Sequence, residues 1–284
     1  MRCNIPKNLI FVVMMMMMMK SVCVRGHGYL SWPAARQFKC YRDNNFWWPE
    51  TGETIPDEAC RAAYQTVYAK YRNSGKSHGV AANAAQYMFQ QYYEYAALAG
   101  PAYNDLEYLK ERVIPNHLCA AGAENRSHTF GDKSGMDEPL DGLWRAETLY
   151  PTVEERTQND GASVVLHFCP TTEHDPSFFQ VFITRPDYDY SHKLDWDDLE
   201  LLDNDGPSAL VENDGSDEAC VADRLYQIPV TIPFRHEKFV LFVRWQRNDV
   251  VGEGFYNCAD VIFNSDHVLK YKRARAYDRQ HQEL

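Results

Sequence analysis

The sequence lacks a basic excess. Its 284 residues carry 29 Lys and Arg against 40 Asp and Glu, a formal charge of −11, which argues against a nucleic-acid partner. It lacks an apolar run of the roughly 20 residues that a membrane span needs. The stretch from Asn8 to Met19, with six consecutive methionines, is too short. It lacks a C-x-x-C pair, the commonest zinc spacing, and no internal repeat is found. No Asp or Glu falls in a recognisable paired-carboxylate hydrolase motif, which ranks a secreted hydrolase last. What remains is 45% hydrophobic and 24% charged, which excludes a disordered polymer, a collagen and a polytopic membrane protein.

The N-terminus reads as a secretory leader over residues 1–26. Arg2 and Lys7 precede the apolar run, and Val24 and Gly26 supply small residues at the −3 and −1 positions of a cleavage site. Cutting there removes four bases and no acid, so the net charge moves to −15. Cys3 and Cys23 leave with the leader. Cys40, Cys60, Cys119, Cys169, Cys220 and Cys258 remain, an even set that reads as disulfides in an oxidising lumen. Fifteen pairings are open to six cysteines, with Cys40–Cys60 the cheapest local one. Asn125-Arg126-Ser127 is a glycosylation sequon.

Three zones follow. Residues 27–56 are rich in aromatics, Pro and Gly, including Phe46-Trp47-Trp48-Pro49, and read as extended and loop structure. Residues 57–113 show no strand alternation and place Tyr64, Tyr68 and Tyr71 at helical spacing, which predicts a helical insertion of two or three helices. Residues 160–263 predict strands at 162–168, 179–184, 228–232, 238–245 and 255–263. The fourth is apolar on both faces and reads as a central strand. The acidic stretch Asp187 to Glu218 reads as a solvated loop. The architecture is then mainly β, an immunoglobulin- or fibronectin-like β-sandwich with a helical insertion near its N-terminal end. It occupies residues 27–265, and a tail covers 266–284.

Cleavage after Gly26 makes His27 the first residue. A terminal His offers two nitrogens, its α-amine and ring Nδ1, in one chelate ring. The amine loses its proton near pH 7.7–8.0, so a metal competes for it near neutrality. One more imidazole completes a set of three nitrogens, which suits Cu(II).

The mature start His27-Gly28-Tyr29-Leu30-Ser31-Trp32-Pro33-Ala34-Ala35-Arg36 closely resembles that of chitin-active lytic polysaccharide monooxygenases, and most of all the fusolin and spindolin proteins of insect poxviruses and baculoviruses. His174, nine residues before Ile183-Thr184-Arg185-Pro186, resembles the segment that carries the second copper histidine in that family. Phe255-Tyr256-Asn257-Cys258-Ala259-Asp260-Val261 resembles the F-Y-x-x-x-D-V segment whose Phe sits beside the metal. The three matches keep family order and span most of the mature chain.

The resemblance implies one copper ion on His27 and His174, with Phe255 in the axial region. It also implies an external reductant and oxygen or hydrogen peroxide as co-substrate. Thr172 departs from the small residue, often Ala, of bacterial relatives. Glu94 is a candidate for the supporting acid, Arg36 matches a family position, and His117 is the rival for second ligand. Tyr29 and Trp32 are candidate platforms for sugar rings. Chitin is the implied polymer, with no nucleic acid and no membrane span, and self-association into crystals fits the viral relatives. The ending His281-Gln282-Glu283-Leu284 resembles a retrieval signal, which implies the endoplasmic reticulum lumen, secretion, or viral crystalline bodies. A non-catalytic chitin-binding or crystal-forming virulence protein is the alternative.

Overall fold

The computed structural model describes residues 27–46, 51–125, 127–138, 142–151, 161–202 and 207–264. The leader over 1–26, the pair Trp47-Trp48 and the tail over 266–284 lie outside them. No helix among the described residues is long and apolar enough to cross a membrane.

The chain starts with strand β1 (His27–Trp32) and helix α1 (Arg36–Arg42), then α2 (Glu58–Asn73) and α3 (His78–Gln90). Asp57 and Ser77 cap α2 and α3 by accepting the backbone N–H of Cys60 and Val80. Short strands β2 (Ala96–Leu98) and β3 (Glu147–Leu149) follow. The long strands are β4 (Gly161–Thr172) and β5 (Ser177–Thr184), then, after the short β6 (Leu199–Leu202) and β7 (Ala209–Glu212), β8 (Arg224–Pro233), β9 (Phe239–Arg247) and β10 (Glu253–Phe263).

Two sheets form the sandwich. One has the order β1-β4-β8-β7. The other has the order β2-β10-β9-β5-β6, with β3 joining β10 in parallel. Strand β9 lies between β10 and β5, and both of its faces are buried as its sequence predicts. Phe239, Leu241, Val243 and Trp245 fill the core between the sheets, while Val240 and Phe242 pack in a second core with α2 and α3. Periodicity alone separates these two cores, since successive side chains of a strand face opposite ways.

Four local expectations give way. The 27–56 zone holds α1, although the residues before it are rich in aromatics and Pro. The helical zone also contains β2, whose three residues pair with β10. The acidic stretch contains β6, β7 and a buried Trp196, and its end is not free either. The Asp217 carboxylate accepts from Ser31 Oγ at 2.6 Å and the Ala219 N–H at 3.0 Å, and lies 3.3 Å from His167 Nδ1. Finally, Tyr29 is no sugar platform. It is fully buried, its hydroxyl donating to Ala219 O at 2.8 Å and accepting from Val221 N at 3.2 Å.

Three disulfides tie the layers: Cys40–Cys60, Cys119–Cys258 and Cys169–Cys220. The last joins β4 to the loop that Asp217 anchors. Burial opposes ionisation of Asp217, but hydrogen bonds from His167 and Ser31 overcome it and hold the carboxyl below its ordinary 3.8. The ionised carboxylate therefore stabilises the fold above that value, and the contribution is lost as pH falls through the lowered folded value. Asp217→Asn is expected to cost about 1–3 kcal/mol at pH 7, with the difference vanishing in strong acid. Denaturant midpoints at the two pH values measure it, and equal midpoints at pH 7 would refute the anchoring role.

Candidate metal centre

His27 opens β1, directly opposite Thr172 at the end of β4. His174 follows two residues later, in the turn that leads into β5. Strand pairing therefore brings the two histidines to one end of the sandwich, although 146 residues lie between them in sequence. Gly28 is required here by close packing. A Cβ would collide with the Phe168 ring and reach 3.0 Å from the Cys169 carbonyl.

The turn between α3 and β2 completes the site. Tyr93 accepts the Gly28 N–H at 3.0 Å, and its ring meets that of His27 edge-on at 5.4 Å. Glu94 Oε1 lies 3.0 Å from His27 Nε2, an ion contact whose N–H is not aligned for an ideal hydrogen bond. Glu94 Oε2 accepts from the Tyr87 hydroxyl at 3.3 Å. The His27 contact, with lesser help from Lys133 and Tyr87, outweighs burial and holds the Glu94 carboxyl below its ordinary value.

His174 is half-buried. Its ring packs against Trp245 at 6.0 Å, and Trp245 packs against Phe255 at 5.2 Å. Phe255 and Trp245 are fully buried, so an apolar wall stands behind His174. Burial lowers the His174 pKa, and the positive charges of Arg247 and His27 lower it further against Asp249. The ring is thus held neutral, with a nitrogen lone pair available.

The donors present fit a copper ion. His174 Nε2 is buried and has no hydrogen-bond partner, a costly state for a polar atom unless it is reserved for a ligand. Glu94 engages Nε2 of His27, which leaves Nδ1 as that ring's other donor. No group of three or more His, Cys, Asp or Glu among the described residues has metal-binding geometry. Two imidazoles would need a third donor of another kind to complete a copper site.

The remaining sequence candidates fall elsewhere. Trp32 is half-buried at the far end of β1, about 16 Å along the strand from His27, with its ring 6.0 Å from His167. Arg36 does not support the metal. It grips Asp260, Nε to Oδ2 at 2.6 Å and Nη2 to Oδ1 at 3.2 Å, and donates to Met136 O at 2.9 Å. The Arg of the first motif and the Asp of the last are thus joined as one buried pair. His117 contacts Glu124 and Lys193 rather than His27 or His174. Asn125 is exposed, its Oδ1 accepting from the Ser127 N–H at 2.9 Å. Sequence reading missed Tyr93, Trp245 and Tyr87. Trp245 had the one available signal, the last inward position of an apolar strand that also carries Phe239, Leu241 and Val243.

The chain is similar in sequence and in fold to known proteins. The family described as lytic polysaccharide mono-oxygenase, cellulose-degrading, matches residues 27–261. A spindolin of Heliothis armigera entomopoxvirus is 48% identical over 248 residues, covering 86% of this chain and 68% of its own. A spindolin of Choristoneura biennis entomopoxvirus is 42% identical over 262 residues, covering 90% and 74%. An entomopoxvirus fusolin, described as enhancing virulence and crystallising in vivo into viral spindles, superimposes with a TM-score of 0.76 at 47% identity, covering 84% and 76%. That fusolin has also been solved in complex with zinc.

Proposed function

The chain belongs to the lytic polysaccharide mono-oxygenase family, and from that premise we propose that it is a copper-dependent oxidoreductase that cleaves chitin oxidatively. The observation that carries the reading is the pair His27 and His174 at one end of the sandwich, with His174 Nε2 buried and unpartnered. Copper held by the two imidazoles and the His27 amine would supply one-electron chemistry toward oxygen or peroxide, with an external reductant providing electrons.

The chain's own residues do the rest. Glu94, whose Oε1 lies 3.0 Å from His27 Nε2, would orient the His27 ring for the metal. Tyr93 holds β1 in place through Gly28. Trp245 and Phe255 exclude water from the face behind His174, where a dry wall protects against side reactions. Thr172, opposite His27, would adjust access to the metal from the β4 side. The polymer is proposed as chitin from the likeness to spindolin and fusolin, although the family's description names cellulose.

Processing after Gly26, passage through the secretory pathway, retention in the endoplasmic reticulum lumen or viral crystalline bodies, and glycosylation at Asn125 belong to the same proposal. So does a role in viral virulence. The three disulfides support an oxidising compartment. A second reading, a non-catalytic chitin-binding or crystal-forming protein, is favoured by the described spindle crystallisation of the fusolin relative.

The deciding experiment incubates protein starting at His27 with copper, a reductant and crystalline chitin, with cellulose in parallel. Mass spectrometry is expected to find oxidised chito-oligosaccharides. Their absence from copper-loaded, correctly processed protein that still binds chitin would favour the second reading. Oxidised products from cellulose alone would replace the polymer and keep the chemistry.

A further inference from the structure

Lys133 is fully buried, and no ion pair to it is found among the described residues. Its ammonium donates to the Glu94 carbonyl and sits over the Tyr95 ring at 4.4 Å, with Phe130 at 5.9 Å. Its backbone N–H donates to Ala123 O at 2.7 Å, which fixes the strap that delivers it. Burial pushes its pKa down to about 7. An ammonium in such a place is costly, and an apolar side chain of similar volume would fill the space at less cost. Core packing alone therefore does not account for it.

What it grips does. The Glu94 carbonyl lies at the end of the Gln91–Glu94 turn, whose residues Tyr93 and Glu94 face the start of β1. Tyr93 accepts from Gly28 and places its ring on His27, and Glu94 puts its carboxylate on His27 Nε2. The next residue ties the turn to β10, with the Tyr256 N–H donating to Tyr95 O at 2.8 Å. We propose that Lys133 is a positioning residue for the metal centre: by holding the Glu94 carbonyl it fixes the turn that aims Glu94 and Tyr93 at His27. The inference rests on the copper reading above and adds a residue that touches neither metal nor polymer.

The test uses protein processed to His27, in wild-type form and as Lys133→Met, Lys133→Gln, Glu94→Gln and the Lys133→Met/Glu94→Gln double variant. Cu(II) affinity is read by chelator competition, site symmetry by electron paramagnetic resonance, and fold integrity by melting without metal. Lys133→Met is expected to lose about tenfold in affinity, as supporting residues of metal sites do, and to shift the resonance spectrum with no fall in metal-free melting temperature. In the Glu94→Gln background its further loss should shrink toward nothing. Lys133→Gln keeps a donor for the carbonyl and should stay within about threefold of wild type. Wild-type affinity and spectrum in Lys133→Met overturn the inference, as does an equal loss with and without Glu94. If Lys133→Met does not fold, a tenfold loss in folded Lys133→Gln overturns it. Wild-type protein that binds no copper overturns the metal reading itself, and this inference with it.

Discussion

Protein that carries one extra residue ahead of His27 is expected to bind Cu(II) at least about 100-fold more weakly than protein starting at His27, since loss of a direct donor should exceed the 10–100-fold cost of losing a supporting one. The extra peptide bond removes the amine from the donor set without touching either ring. His174→Ala should do comparable damage by deleting the buried, unpartnered Nε2. Both forms should still fold, because His174 is half-buried at a turn and His27 begins a strand whose pairing with β4 is unchanged. His236→Ala, in an exposed turn, serves as the control that leaves binding intact. Chelator competition and the resonance spectrum read all four proteins. Equal affinity with and without the extra residue would remove the amine from the donor set and, with it, the reason for processing.

The largest expected loss of stability belongs to Asp260→Ala. Arg36 and Asp260 are 5% and 3% exposed and share two short contacts, while the guanidinium also lies 4.9 Å over Trp144. Removing the acid strands a buried positive charge, which typically costs about 3–5 kcal/mol. The Met136 carbonyl offsets part of this by keeping its bond to Nη1. Replacing both partners together, as Arg36→Met/Asp260→Leu, is expected to recover much of the loss, because an apolar pair needs no compensation. Denaturant unfolding with slopes compared across variants gives the numbers. A loss under about 1 kcal/mol in Asp260→Ala would mean that water reaches the guanidinium.

These pairs explain what the sequence could and could not convey. The long strands were legible because each carries an alternating or apolar run of five to nine residues, a signal held by the strand itself. His27 and His174 were legible as a pair only through motif resemblance, because their meeting depends on β1–β4 register. Arg36 and Asp260 sat in two separate motifs, and nothing in their spacing told that they touch. Strands β2, β3, β6 and β7, of three or four residues, carry too little pattern, and their pairing is decided by neighbours. Tyr29 is the instructive miss. An aromatic ring serves a core and a sugar equally well, and only the hydroxyl bonds of Tyr29 to Ala219 and Val221 reveal which. Glu94 was a candidate without an address, since it lies in the short segment between α3 and β2, whose place follows from packing rather than from a pattern of its own.

Among the described residues, strand β1 pairs with β4 on one side and borders no strand on the other. Two of its outward N–H groups are nonetheless spent, that of Gly28 on the Tyr93 carbonyl and that of Leu30 on Asn257 Oδ1 at 3.3 Å. A sheet margin blunted in this way offers no template for a further strand. A second copy that meets this margin must therefore do so through side chains rather than by extending a continuous backbone ladder, a contact that can come apart again where a cross-β stack would not.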